Sequence, residues 1–202
     1  PASPSFTSSV VNGCLPFNTT LSSTSTNLPV CGTFKYKWTV TKTGSTCTAA
    51  IPGTDFEFVT GDDQSVLPLP VIKFNNQGVY SITLTITTKC GPVISSPTII
   101  NANTKPQFTL STMPDICSGS TASPSATILD CGSTITSYAW TFPNGNPATS
   151  NTQNPGAITF TNTTTSPVTN NIQLGVTNTC GTTTQTTPIL VKPLPTANTI
   201  TD

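Results

Sequence analysis

The chain has 202 residues, only 7% of them charged; seven Lys balance seven acids to a net charge of zero, and neither His nor Arg occurs. A typical globular chain is about a quarter charged. The neutral balance excludes a basic footprint for nucleic acid or anionic membrane. The missing His excludes Ser-His-Asp and Cys-His sites, and the missing Arg excludes bidentate clamps on phosphate or carboxylate.

In chain order the sequence repeats itself. Pro4-Ser5-Phe6-Thr7 followed by Cys14 returns as Pro106-Gln107-Phe108-Thr109 followed by Cys117. Cys31-Gly32 returns as Cys131-Gly132, each ahead of an aromatic segment holding Trp38 or Trp140. Cys90-Gly91 and Cys180-Gly181 close a later segment, and each repeat ends on a Pro and an apolar triplet, Thr98-Ile99-Ile100 or Ile189-Leu190-Val191. This spacing divides the chain into domains 1–103 and 104–192, with 193–202 a linker or the first strand of a following repeat. Each domain has an ordinary size. Pro1 opens on linker-like sequence with no signal peptide, as an excised or mature segment would. No apolar run approaches the roughly 18 residues of a membrane span.

The elements read as strands. Phe34, Tyr36, Trp38 and Val40 alternate with Lys35, Lys37, Thr39 and Thr41; Tyr80, Ile82, Leu84 and Ile86 alternate with Ser81, Thr83, Thr85 and Thr87. The second repeat matches with Tyr138, Trp140 and Phe142, then Ile172, Leu174 and Val176. One apolar face and one Thr-rich face predict antiparallel strands half-covered in a sandwich. Asn75-Asn76-Gln77-Gly78 and Pro143-Asn144-Gly145-Asn146-Pro147 predict turns.

Trp140-Thr141-Phe142-Pro143-Asn144-Gly145 and Gly78-Val79-Tyr80-Ser81-Ile82-Thr83-Leu84-Thr85-Ile86 resemble the two signature strands of the PKD-like domain (the polycystic kidney disease repeat). Each repeat keeps one signature better than the other: Val40 stands where the aromatic strand has Phe, and Asn170 stands where Tyr80 stands. The resemblance implies an all-β fold of tandem immunoglobulin-like sandwiches, with Trp38 and Trp140 in the cores and Tyr80 at a tyrosine corner. Together with the Cys-Gly pairs and the Thr/Asn-rich style, it resembles large secreted surface proteins of Bacteroidota.

Seven Cys without a CxxC pair or any His argue against zinc and for disulfides in an oxidising compartment. Strands C and F are neighbours in such a sandwich, and Cys31 precedes C while Cys90 follows F. The expected bonds are Cys31–Cys90 and Cys131–Cys180, with Cys14–Cys47 at the opposite end and Cys117 unpaired or intermolecular. Each closed loop of about 50–60 residues would contribute roughly 4 kcal/mol on the chain-entropy view. The competing map joins the A–B cysteine of one domain to the F–G cysteine of the next, as Cys14–Cys180.

No catalytic residues stand out. Asp55, Glu57, Asp62 and Asp63 form the one acidic cluster and are the candidate ligands for Ca²⁺; Asp115 and Asp130 are isolated. Asn18-Thr19-Thr20 and Asn162-Thr163-Thr164 match the N-glycosylation pattern. The reading is a non-enzymatic, cofactor-free extracellular or cell-surface module. It would space or build an adhesin or filament, with neighbouring repeats or subunits as partners, surface glycans or proteins as further ones, and 193–202 able to add a strand to a neighbour. The alternative is a carbohydrate-binding accessory module of a secreted hydrolase, for which Phe56 and Phe58 are the stacking candidates.

Overall fold

The computed structural model describes residues 2–28, 35–43, 52–63, 69–129 and 134–195. Every regular element among them is a β-strand. They fall into two compact units, the first Pro1–Thr104 and the second Lys105–Leu129 with the chain from Thr134 onward.

In the first unit β1 (Phe6–Ser8), β3 (Phe17–Ser23), β6 (Val71–Phe74) and β5 (Phe56–Thr60) form one sheet in the order β1-β3-β6-β5. β2 (Asn12–Cys14), β9 (Thr98–Asn103), β7 (Gly78–Thr88) and β4 (Lys35–Thr43) form the other, in the order β2-β9-β7-β4, with β8 (Gly91–Ile94) also on β7. The pairing is antiparallel except β2 on β9, which is parallel. The first strand therefore serves both sheets, as an immunoglobulin-like sandwich requires. The crossing is pinned by Thr19, which is buried. Its Oγ1 donates to the carbonyl of Val10 (2.9 Å), accepts from the Val10 N–H (3.1 Å) and lies 2.6 Å from Ser8 Oγ.

The second unit repeats this plan. β10 (Gln107–Leu110) pairs β13 (Ala126–Leu129). The chain then changes sheets, and β11 (Ile116–Cys117) runs parallel to β19 (Gly181–Lys192). The larger sheet has the order β11-β19-β18-β14-β16, where β14 is Ile135–Thr141, β16 Thr149–Ser150 and β18 Val168–Asn178. A smaller sheet joins β12 (Thr121–Ala122), β17 (Ile158–Phe160) and β15 (Gly145–Asn146).

The period-two faces become the cores. Trp38, Tyr80, Ile82, Leu84 and Ile86 are buried against Leu21, Ile72 and Phe74 from the facing sheet. Trp140, Phe142, Ile172, Leu174 and Val176 are buried against Ile158 and Phe160. The opposite faces carry the hydroxyls, so each long strand buries half its side chains and wets the rest. Phe34, part of the expected first face, lies outside the described residues.

Tyr80 is fully buried, and its hydroxyl donates to the carbonyl of Asn76, four residues upstream, at 2.8 Å. This is the tyrosine-corner geometry. Burial, and then the charge of Asp55, hold the phenol above its ordinary value of 10.0. The sign follows: the folded state resists ionisation while the unfolded chain ionises near the ordinary value. Stability from this group is fully present below pH 10.0 and is lost as pH rises beyond it. Tyr80→Phe is expected to cost about 1 kcal/mol near neutrality and to flatten the alkaline loss, read from urea midpoints across a pH series. An unchanged alkaline slope would contradict the assignment. In the second unit Asn170 takes this place, accepting at Oδ1 from Asn144 Nδ2 (2.8 Å).

Candidate functional site

The acidic cluster is dispersed. Asp55 is buried just before β5, where its Oδ1 meets Lys42 Nζ at 3.1 Å and Asn76 Nδ2 at 3.0 Å. Lys42 ends the inward face of β4, two residues beyond Val40, and its ammonium lies 5.8 Å from the centre of the Tyr80 ring. Both side chains are more than nine-tenths buried. Glu57, on the strand itself, pairs with Lys73 across the β5–β6 ladder at 2.8 Å. That hydrogen bond holds its carboxyl below the ordinary range. Asp62 and Asp63 lie beyond the far end of β5, where the Asp63 carbonyl accepts from the Trp38 N–H at 2.6 Å. Among the described residues no three acidic, His or Cys side chains gather as a metal would need. The expected Ca²⁺ set is therefore corrected: two of its carboxylates are each paired with a lysine, and the strand separates them from the other two. The sequence carried the signal for Lys42, since continuing the alternation from Trp38 and Val40 places it inward.

A cleft of about 500 Å³ opens between the edge strands β4 and β5, floored by Trp38, Val40, Phe56 and Phe58 and rimmed by Asp62 and Asp63. The Trp38 indole N–H is buried there without a hydrogen-bond partner. The same atom of Trp140 donates to the carbonyl of Thr152 at 3.1 Å. Phe56 is buried and edge-on to Tyr80 and Phe58 rather than displayed outward.

The two glycosylation candidates part company. Asn18 is exposed on β3. Asn162 is buried; its Nδ2 donates to the carbonyls of Ser166 (2.9 Å) and Val191 (2.8 Å), and its Oδ1 accepts from the Thr164 N–H (2.9 Å) and hydroxyl (2.8 Å). The nitrogen that would carry a glycan is thus committed to the fold, which corrects Asn162 from a modification site to a turn clamp. Asn162→Ala is expected to lower the stability of the second unit by about 1–3 kcal/mol, because partners are left unpaired in a buried site. Chemical denaturation measures it, and a change below a few tenths would refute the clamp. Asp115 forms an exposed ion pair with Lys192 (3.1 Å).

The cysteines sit at the ends of the sandwiches. Cys90 and Cys180 occupy the same position of the same two-residue hairpin turn, Thr88 to Gly91 and Asn178 to Gly181. In each turn the Cys N–H bonds the side-chain oxygen two residues earlier: Thr88 Oγ1 at 3.1 Å, Asn178 Oδ1 at 2.8 Å. Each turn closes on a glycine in the left-handed region, φ 108° at Gly91 and 118° at Gly181, which explains the Cys-Gly pairs. Cys14 and Cys117 end β2 and β11. Cys14 and Cys180 are each disulfide-bonded, whereas Cys90 and Cys117 are exposed free thiols. The expected Cys31–Cys90 bond is therefore not formed: Cys90 stands in an exposed turn, beyond the last ladder residue of β7. Cys31, Cys47 and Cys131 lie outside the described residues, as do Asp130 and 196–202, so the expected Cys14–Cys47 and Cys131–Cys180 bonds fall partly there. Among the described residues no helix is long and apolar enough to cross a membrane.

No family model matches this chain, and no curated protein does. Solved structures similar to it include titin Ig tandem domains A164–A165, at 13% identity over 96% of this chain and 100% of that one, with a TM-score of 0.41. A marsupial T cell receptor is 10% identical over 98% of this chain and 75% of that one, with a TM-score of 0.42. The Yersinia pseudotuberculosis adhesin InvE is 12% identical over 92% and 58%, with a TM-score of 0.38.

Proposed function

We propose that the chain is a non-catalytic, extracellular structural or adhesive module, a PKD-like repeat pair of the Bacteroidota surface-protein type that spaces or builds an adhesin or filament. The observation that carries this reading is what the two units have in common. They share the buried Trp, the change of sheet in the first strand, and the same Cys-bearing turn. They do not share the charged groups, and in the first unit Asp55 and Glu57 are each held by a lysine. A scaffold repeated without a repeated reactive site suits a spacer. Its partners would be neighbouring repeats of the same kind, and it would need no cofactor.

Imaging of the native assembly tests this, with extended or fibrous particles built of bead-like domains expected. Compact isolated particles would overturn it, as would a saturable hydrolytic activity abolished by substituting Asp62 or Asp63. A second reading, glycan binding, is favoured by the β4–β5 cleft, where the half-buried Val40 and Phe58 lie beside the Asp62 and Asp63 carboxylates as an apolar and a polar face for a sugar ring. Saturable quenching of tryptophan fluorescence by an oligosaccharide, lost in Phe58→Ala, would establish it.

A further inference from the structure

The four described cysteines form two structurally equivalent pairs. Cys14 lies opposite Asn103, and Cys117 opposite Lys192, where the outgoing strand of each unit ends. The N–H that follows each cysteine makes the same bond, Leu15 to the Asn103 carbonyl and Ser118 to the Lys192 carbonyl, both 2.8 Å. Cys90 and Cys180 are likewise equivalent in the F–G turns. Within each unit the two positions lie at opposite ends of one sheet. β7 and β18 each run 11 residues between them, about 35 Å at strand rise. In the first unit the chain comes in at the turn end, where Phe6 pairs with Ser23, and leaves at the other, where Cys14 pairs with Asn103.

Oxidation state splits both pairs. Cys14 and Cys180 are bonded; their counterparts Cys117 and Cys90 are exposed thiols. The free thiols are the turn cysteine of the first unit, at the end where the chain enters it, and the end-strand cysteine of the second, at the end where the chain leaves it.

We propose that Cys90 and Cys117 are the two halves of a covalent staple between successive copies of this repeat pair, Cys117 of one copy bonding Cys90 of the next. This rests on the repeat-module reading above. The occupant is a second copy because the chain itself carries one free thiol of each kind. Such a head-to-tail contact is heterologous and extends into an open filament wherever its rotation does not close into a ring. The chemistry balances by exchange with a low-molecular-weight disulfide. Two thiols become one disulfide, and the two electrons and two protons convert the oxidant to two thiols.

The test uses this 202-residue chain and a head-to-tail duplication of it in one polypeptide, which raises the effective concentration of the two thiols. Both are equilibrated with reduced and oxidised glutathione, alkylated while folded, digested and mapped without reduction. In the duplication a linked Cys90–Cys117 peptide is expected, with alkylation of each cysteine falling to half. The single chain is expected to form a covalent ladder at high concentration, abolished by Cys90→Ser or by Cys117→Ser. A linked Cys14–Cys180 peptide supports the same connectivity rule. The proposal is overturned by a Cys31–Cys90 peptide, by symmetric Cys90–Cys90 links, or by full alkylation of both thiols in the duplication. Extended particles with both thiols free would sink the staple and leave the module reading standing.

Discussion

Trp38→Ala and Trp140→Ala are each expected to destabilise their own unit by about 3–5 kcal/mol, the cost of emptying a large aromatic site in a packed core. Both indoles are 1% exposed. Trp38 meets Phe6 edge-on at 5.1 Å between ring centres, and Trp140 stacks on Phe142 at 5.7 Å. The milder change to Phe separates the two sites. Trp140→Phe loses the 3.1 Å bond to the Thr152 carbonyl, whereas Trp38→Phe removes an indole N–H that bonds nothing. Trp140→Phe should therefore cost roughly 1 kcal/mol more than Trp38→Phe. Urea unfolding followed by circular dichroism measures both. Equal costs, or a larger one at position 38, would show that the two sites are not distinguished by this bond.

Breaking the Lys42–Asp55 pair is the second large effect. Lys42→Ala is expected to destabilise the first unit by about 3–5 kcal/mol, since it strands a carboxylate in a site with little access to water. Asn76 still donates to that carboxylate but brings no charge. Replacing both partners, as Lys42→Met with Asp55→Leu, should cost far less than the sum of the single changes, because no unpaired charge remains buried. Additive costs in this double-mutant cycle would show that the two groups act independently. Lys73 and Glu57 provide the contrast. At 38% and 44% exposure their pair is solvated, and Lys73→Ala should leave the urea midpoint of the first unit almost unchanged.

Alternation with a period of two, read from Trp38–Val40, Tyr80–Ile86 and Ile172–Val176, was enough to place these strands and their inward faces, and the recurrence of Cys-Gly and Trp gave the two-domain plan. Burying every second side chain leaves no other arrangement for these segments. The Cys-Gly pairs marked the hairpin turns because the glycine must adopt a positive φ there. What the sequence could not determine was which polar groups meet. Asp55, Glu57, Asp62 and Asp63 are close neighbours along the chain, yet strand rise parts them and Lys42 and Lys73 arrive from β4 and β6 to take two of them. Asn18 and Asn162 carry the same three-residue pattern. Only packing against Val191, 29 residues on, turned the second into a buried clamp. The cysteine pattern named the turn and end-strand positions, but equivalent positions differ in oxidation state, Cys14 and Cys180 being bonded and Cys117 and Cys90 free. A disulfide needs a second thiol brought within bonding distance by the fold, and local sequence does not encode that.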